Sequence, residues 1–300
     1  MARRLPGPLV VPLRPRESAP PGTHHPLDMI LGLHCSLRGG YLAALRHAES
    51  LGCGAIQVFT YRRHHAPSEA ELAEFRAAAK GRLQVVAHAR FVPCLASAEP
   101  RLAARSSELL ADEVRIARAF GAAFYVLHLG AYSEGSDSVA GTRLFAEGVR
   151  RSWQDSGDPL LVLENVPGGG RRLGGELEEL ARALEALDRV GVRAGVCLDT
   201  AHAWAQGYDI ADAGGMEAFL DHAERIFGPE RLALFHLNNT RTGRGSHRED
   251  HWHIDGGMIK EGAWTALLSR KTLAGVPGIL ETPSGLEMDA ANLAAARRAV

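Results

Sequence analysis

Short apolar runs in this chain repeatedly stop at a histidine or a carboxylate. LQVVAH stops at His88, FYVLH at His128, LLVLE at Glu164, GVCLD at Asp199, LALFH at His236 and GILE at Glu281. Two earlier runs, MILGLH ending at His34 and AIQVF before Thr60, bring the set to eight. The runs are rich in Val, Ile and Leu, and they lie roughly 25–45 residues apart with helical patterns between them. That alternation predicts a single (β/α)8 TIM barrel of the α/β class. In such a barrel the C-terminal strand ends open onto one mouth, so side chains distant in sequence converge there. Convergent imidazoles and carboxylates imply a metal site at the C-terminal mouth, and so many of them imply more than one ion.

The segments between the runs support the same architecture. RLAARSSELLADEVRIARAF, GTRLFAEGVRRSW, LGGELEELARALEAL and DAGGMEAFLDHAERIF carry apolar residues at three- and four-residue steps, the period of a helix with one buried face. The chain's 300 residues suit one barrel of roughly 250 residues with modest loops. Residues 1–28 stand apart: they are rich in Pro and Arg, show no helical or strand period, and lack the uninterrupted apolar stretch of a secretory signal. They are expected to form a disordered N-terminal extension, with residues 29–300 as the barrel domain. Met29 opens the first strand directly, so the extension reads as an upstream start. His24 and His25, within it, are given no role.

The net charge of −1 exerts no global pull on nucleic acid or acidic membranes, yet a local basic rim is compatible with it. No apolar run approaches the ~20 residues that cross a bilayer, so the expectation is a soluble, cytoplasmic and monomeric protein without membrane partners. The four cysteines, Cys35, Cys53, Cys94 and Cys197, form no C-x-x-C pair. They are expected to be buried free thiols of a reducing compartment.

A single strand-end histidine is more often structural than a ligand, and His34 is evenly balanced between the two. For His88, His128, Glu164, Asp199, His236 and Glu281 together, the structural reading fails. Six ionisable groups at the ends of apolar strands would carry a large desolvation cost without a common partner. His202 follows Asp199 by three residues in GVCLDTAHAW, where the next helix begins, so both can face the mouth. GRGSHREDHWHIDGG offers Glu249 and His251 as a loop clip, with Asp250 and His253 as competing choices. His47 and His222 fall in helical patterns and read as surface residues.

GVCLDTAHAWAQGYD (195–209), LENVPGGGRRLG (163–174), FHLNNTRT (235–242), GILET (278–282) and HCSLRGG (34–40) resemble segments of the endonuclease IV family, the zinc-dependent apurinic/apyrimidinic endonucleases. The likeness extends over residues 29–290. It implies about three zinc ions per chain. One would be held by His88, His128 and Glu164. A second would be held by Glu164, Asp199, His236 and Glu281, and a third by His202, Glu249 and His251. Several positions depart from the family pattern. Glu249 stands where Asp is usual, so the carboxylate of the third site is shifted. Asp255-Gly256 stands where Gly-Glu is common. Asn239 replaces a common Asp, which would remove one supporting charge near the ligands. TYRRHHAPS lacks the usual Asn and Trp, and Phe91 takes the place of a DNA-wedging Tyr.

The resemblance implies metal-assisted hydrolysis of the phosphodiester 5′ to an abasic site in double-stranded DNA. Glu164 would bridge ions, and Glu281 would orient the attacking water or accept its proton. The products would be a 3′-hydroxyl and a 5′-deoxyribose phosphate. Arg62, Arg63, Arg171, Arg172, Arg241, Arg244 and Arg248 lie in mouth loops and are expected to grip DNA phosphates. Two other readings compete: a metal-dependent sugar isomerase or epimerase of similar barrel, and a relative that binds damaged DNA without cutting it.

Overall fold

A computed structural model describes residues 28–62, 66–90, 94–153, 157, 159–283 and 285–300; all but the last residue of the N-terminal extension lies outside them. Eight strands form a closed barrel in sequence order: β1 (Ile30–His34), β2 (Ala55–Phe59), β3 (Gln84–His88), β4 (Phe124–His128), β5 (Leu160–Glu164), β6 (Ala194–Asp199), β7 (Leu232–His236) and β8 (Pro277–Leu280). Every neighbouring pair is parallel, and β8 closes on β1. The outer layer holds α1 (Tyr41–Ser50), α2 (Glu69–Ala79), α3 (Pro100–Ala119), α4 (Ser138–Ser152), α5 (Leu177–Arg189), α6 (Thr200–Gln206), α7 (Ala213–Phe227), α8 (Glu261–Leu268) and α9 (Leu286–Arg298).

Two apolar compartments follow from the strand period of two. Inward positions pack Ile30, Ala55, Val86, Phe124, Val126, Val162, Cys197, Leu234 and Ile279 inside the barrel. Outward positions such as Leu31, Val85, Leu127, Leu163 and Phe235 pack against the helices. In α5, Leu177, Leu180, Ala183, Leu184 and Leu187 form the buried stripe that the sequence period called for. The inward series also decides where the ligand candidates point. His88, His128, Glu164, Asp199, His236 and Glu281 each stand two residues after an inward apolar residue, so they top the same column of side chains. Strand register then sets them side by side, with His128 opposite Glu164 and Asp199 opposite His236.

At the seam near β1 the barrel admits no side chain at Gly32. A Cβ there would stand 2.4 Å from the Ala55 carbonyl oxygen and 2.7 Å from Ile279 Cδ1, which is why the inward position below His34 is glycine. One sequence expectation needs correction. Cys94 is exposed, whereas Cys35, Cys53 and Cys197 are buried. His47 and His222 lie partly exposed at the surface, His47 Nε2 2.8 Å from Asp289 Oδ2 and His222 Nε2 3.1 Å from Glu178 Oε1. Among the described residues no helix is long and apolar enough to cross a membrane.

Candidate metal centre

A cleft of about 710 Å³ opens at the C-terminal mouth, lined by His34, His88, His128, Glu164, His202, Glu249, His251 and Glu281 among others. Glu164, at the end of β5, is its hub and is fully buried. Its Oε2 lies 2.8 Å from His128 Nε2 and 3.1 Å from His88 Nε2. Its Oε1 lies 2.8 Å from His236 Nδ1 and 3.4 Å from His202 Nδ1. Each oxygen of one carboxylate therefore faces two imidazoles, the arrangement a bridging ligand requires.

The short motif Asp-Thr-Ala-His is folded by helix capping. Asp199 ends β6 and caps α6, its Oδ1 accepting from the His202 backbone N–H at 2.8 Å. The cap fixes the three-residue spacing and turns Oδ2 toward the cleft, 3.5 Å from His251 Nε2. Asn165 clamps the same turn: its Oδ1 accepts from Asp199 N at 2.6 Å, and its own carbonyl accepts from His202 Nδ1 at 2.9 Å. Asn238 ties the Asp199 carboxylate to the backbone of Glu281. Its Nδ2 donates to Asp199 Oδ2 at 2.6 Å, and its Oδ1 accepts from the Glu281 backbone N–H at 2.8 Å.

The far side of each ring decides what the near side can bind. A carbonyl oxygen only accepts, so a ring nitrogen facing one carries a proton. His88 Nδ1 donates to the Ala89 carbonyl at 2.8 Å, His236 Nε2 donates to Gln57 Oε1 at 3.0 Å, and His251 Nδ1 faces the Glu281 carbonyl at 3.3 Å. With His202, four rings thus have one nitrogen occupied by a protein oxygen, the usual backing for a metal-binding imidazole. The other nitrogens of His202 and His251 meet each other at 3.3 Å. Two lone pairs at that distance repel unless positive charge lies between them.

The local field asks for the same charge. Burial by itself would raise the Glu164 carboxyl, but the His236 and His128 imidazoles hold it well below the usual carboxylate range. Burial would lower His202, yet Asp199, Glu249 and Glu164 raise it to about 10. The neighbouring His202 imidazole holds Glu249 down at about 2. Groupings whose ligand atoms all lie within 4.8 Å of one another are His88–Glu164–His236, His128–Glu164–His202, Asp199–His202–His251 and Glu164–Asp199–His236–Glu281. Nitrogen and carboxylate oxygen donors in this mixture suit zinc. Glu249 is more peripheral: its side chain is 59% exposed and its Oε1 lies 3.8 Å from His202 Nε2. Asp199, with Oδ2 3.5 Å from His251 Nε2, groups with the His202–His251 pair in place of Glu249.

Several supporting residues escaped the sequence reading. Gln57, inward on β2 and fully buried, donates to Glu281 Oε1 at 2.6 Å while accepting from His236. Its signal was a polar residue inside an apolar run. His34 Nδ1 lies 2.7 Å from Glu281 Oε1, which places it beside the carboxylate. Asn239 is no weakened ligand support: it is buried away from the cluster, donating to the Ile254 and Ile259 carbonyls at 2.8 Å each. The neighbouring Asn238 touches the ligands instead. Asp250 turns to Arg241, and His253 Nδ1 lies 3.0 Å from Asn292 Nδ2, so neither competes for the cluster.

The basic candidates divide. Arg62 lines the cleft but is tied to both oxygens of Glu71 at 3.0 and 3.1 Å. Arg171 lies 3.6 Å from Glu134, Arg172 donates to the His247 carbonyl at 3.3 Å, and Arg244 pairs with Asp209. Arg241 pairs with Asp250, and Arg248 lies with it along an outer pocket of the loop. Arg63 and Phe91 lie outside the described residues. Arg38 and Arg90 line the cleft and had not been singled out.

Known proteins share this barrel. The family model described as a xylose isomerase-like TIM barrel matches residues 45–299. The probable endonuclease 4 of Oleidesulfovibrio alaskensis is 38% identical over 283 residues, covering 91% of this chain and 96% of that protein. The crystal structure of endonuclease IV from Thermus thermophilus superposes with a TM-score of 0.76 at 34% identity, covering 90% of this chain and 98% of that one. A D-tagatose 3-epimerase-like protein, at 18% identity and a TM-score of 0.67, covers 89% of this chain and 96% of its own and shares the fold alone. On the relatives' identity and coverage, this chain belongs to the endonuclease IV family.

Proposed function

We propose that the protein is a zinc-dependent apurinic/apyrimidinic endonuclease of DNA base excision repair. It cuts double-stranded DNA 5′ to an abasic site and leaves a 3′-hydroxyl and a 5′-deoxyribose phosphate. The observation that carries the reading is Glu164, a buried carboxylate with two imidazoles facing each oxygen. His88, His128 and Glu164 would hold one ion, and Glu164, Asp199, His236 and Glu281 a second. His202 and His251 would hold a third with Glu249 or Asp199. Zinc bound there supplies positive charge to the phosphodiester and lowers the pKa of water to about 7.

The chain's own groups supply the rest. Glu281 Oε1 is engaged by Gln57 and His34, so Oε2, 3.4 Å from His236 Nδ1, is the atom left to face the ion, and the carboxylate would orient the attacking water beside it. Burial would raise that carboxyl, but His236 and His34 hold it well below the usual range, so it is ionised at neutral pH and serves the water as a hydrogen-bond acceptor rather than as a strong base. Arg38 and Arg90 on the cleft wall meet the phosphates flanking the lesion. An abasic nucleotide enters the cleft at reduced cost because no base stacking is lost. The protein acts as a monomer, each barrel carrying a complete donor set.

The test pairs metal analysis with an incision assay on an abasic duplex labelled on one strand. The expected result is about three zinc per chain and one cut 5′ to the lesion. Uncut duplex with zinc-loaded protein overturns the nuclease reading, and one or two ions with no cut points to sugar chemistry.

A further inference from the structure

The loop between β7 and α8 carries Glu249 and His251, yet it is polar, glycine-flanked and has no helix or strand of its own. Something must hold it. At its base, Asn239 and Trp252 form an antiparallel bridge, with Trp252 N donating to the Asn239 carbonyl at 2.7 Å. The Asn239 side chain then binds the backbone of Ile254 and Ile259 on the returning strand of the loop. Further out, Arg241 reaches across to Asp250: Nη2 lies 2.8 Å from Oδ1, and the Arg241 backbone N–H donates to Oδ2 at 2.8 Å. The same guanidinium lies 3.8 Å from the centre of the Trp252 ring. Thr240 Oγ1 adds a 3.3 Å contact to Asp250 Oδ2.

Asp250 stands between the two ligand candidates in sequence. The Asp250 carboxylate is drawn to Arg241, whereas Glu249 Oε1 and His251 Nε2 both approach His202 Nε2, at 3.8 and 3.3 Å. These contacts place the Asp250 side chain on the Arg241 side of the loop and those of Glu249 and His251 on the His202 side, so a latch on Asp250 fixes the direction of both neighbours. We propose that Arg241, Asp250 and Trp252 form an internal clip that orders this loop, making Arg241 a positioning residue for Glu249 and His251 rather than a DNA phosphate contact. The zinc consequence rests on the ligand assignment given above; the ordering of the loop does not.

The test uses the full chain with Arg241→Ala, Arg241→Lys and Asp250→Asn. Amide hydrogen exchange across residues 244–252 should speed up about 5- to 30-fold in Arg241→Ala and Asp250→Asn. Zinc content after dialysis should fall by about one ion while the other sites stay filled. Arg241→Lys keeps the charge but not the planar fork, and should fall between wild type and Arg241→Ala in both measurements. The salt dependence of binding to an abasic duplex should be unchanged in Arg241→Ala. A slope smaller by about 0.9, the value of one phosphate contact, with exchange unchanged and Arg241→Lys behaving as wild type, overturns the clip. Wild-type protein without any zinc would overturn the ligand assignment, while the exchange rates would still decide the clip.

Discussion

Gln57→Leu tests whether the centre depends on the proton positions deduced from its surroundings. Gln57 lies fully buried on β2, donates to Glu281 Oε1 and accepts from His236 Nε2. Leucine fills a similar volume and offers neither bond. Glu281 Oε1 keeps His34 at 2.7 Å, so the larger loss falls on His236. To present Nδ1 to a metal, its ring must keep the proton on Nε2, and that N–H would then be buried without an acceptor. Leaving one such group unsatisfied costs about 1–3 kcal/mol, equivalent to about 5- to 150-fold in zinc affinity at the site shared with Glu164. A chelator competition followed with a zinc-sensitive dye measures this directly. Gln57→Asn, too short to reach both partners, should weaken binding as well. Unchanged zinc affinity in Gln57→Leu would refute the tautomer argument.

Glu164→Gln should lower incision at least about 100-fold and reduce bound zinc, while the far-ultraviolet circular dichroism stays that of the wild type; retained cutting removes Glu164 from the mechanism. Glu113, buried on α3, has its carboxyl raised by burial despite hydrogen bonds from the Arg90 backbone, Thr60 and Tyr125. Its folded pKa exceeds the unfolded one, so its contribution to stability is complete below the ordinary value of 4.5 and is lost as pH rises through the folded value. Urea unfolding across a pH series should therefore show Glu113→Gln gaining on the wild type with rising pH, and a constant difference would refute the assignment.

The barrel was legible because its determinants are local and periodic. On every strand but β2, which ends at Phe59, the inward column ends in a polar residue, and a run such as FYVLH announces both the strand and the residue at its rim. Asp199 and His202 were legible together because a helix cap imposes their spacing. What stayed hidden is what depends on the partner across space. Glu113 sits in a helical segment full of charges and looks like any solvated acid; only the packing of α3 under β2 and β4 brings Thr60, Arg90 and Tyr125 to it. The loop arginines looked like one basic rim, whereas Arg62, Arg241 and Arg244 are each matched with a carboxylate. Composition records the positive charges but not their counterparts. Asn238 and Asn239 could not be ranked by type; β7 ends two residues earlier, and only the path of the chain beyond it sends one amide to the ligands and the other to the loop base.

The contact between His34 and Glu281 spans 247 positions in the sequence, at the seam where β1 meets β8. A nascent chain that has delivered every other donor still lacks Glu281 until its last strand has emerged and found the first. Under the proposed ligand assignment, tight capture of an ion by Glu164, Asp199, His236 and Glu281 would be postponed until circular closure. Cutting that depends on that ion would then have to wait for the barrel to close.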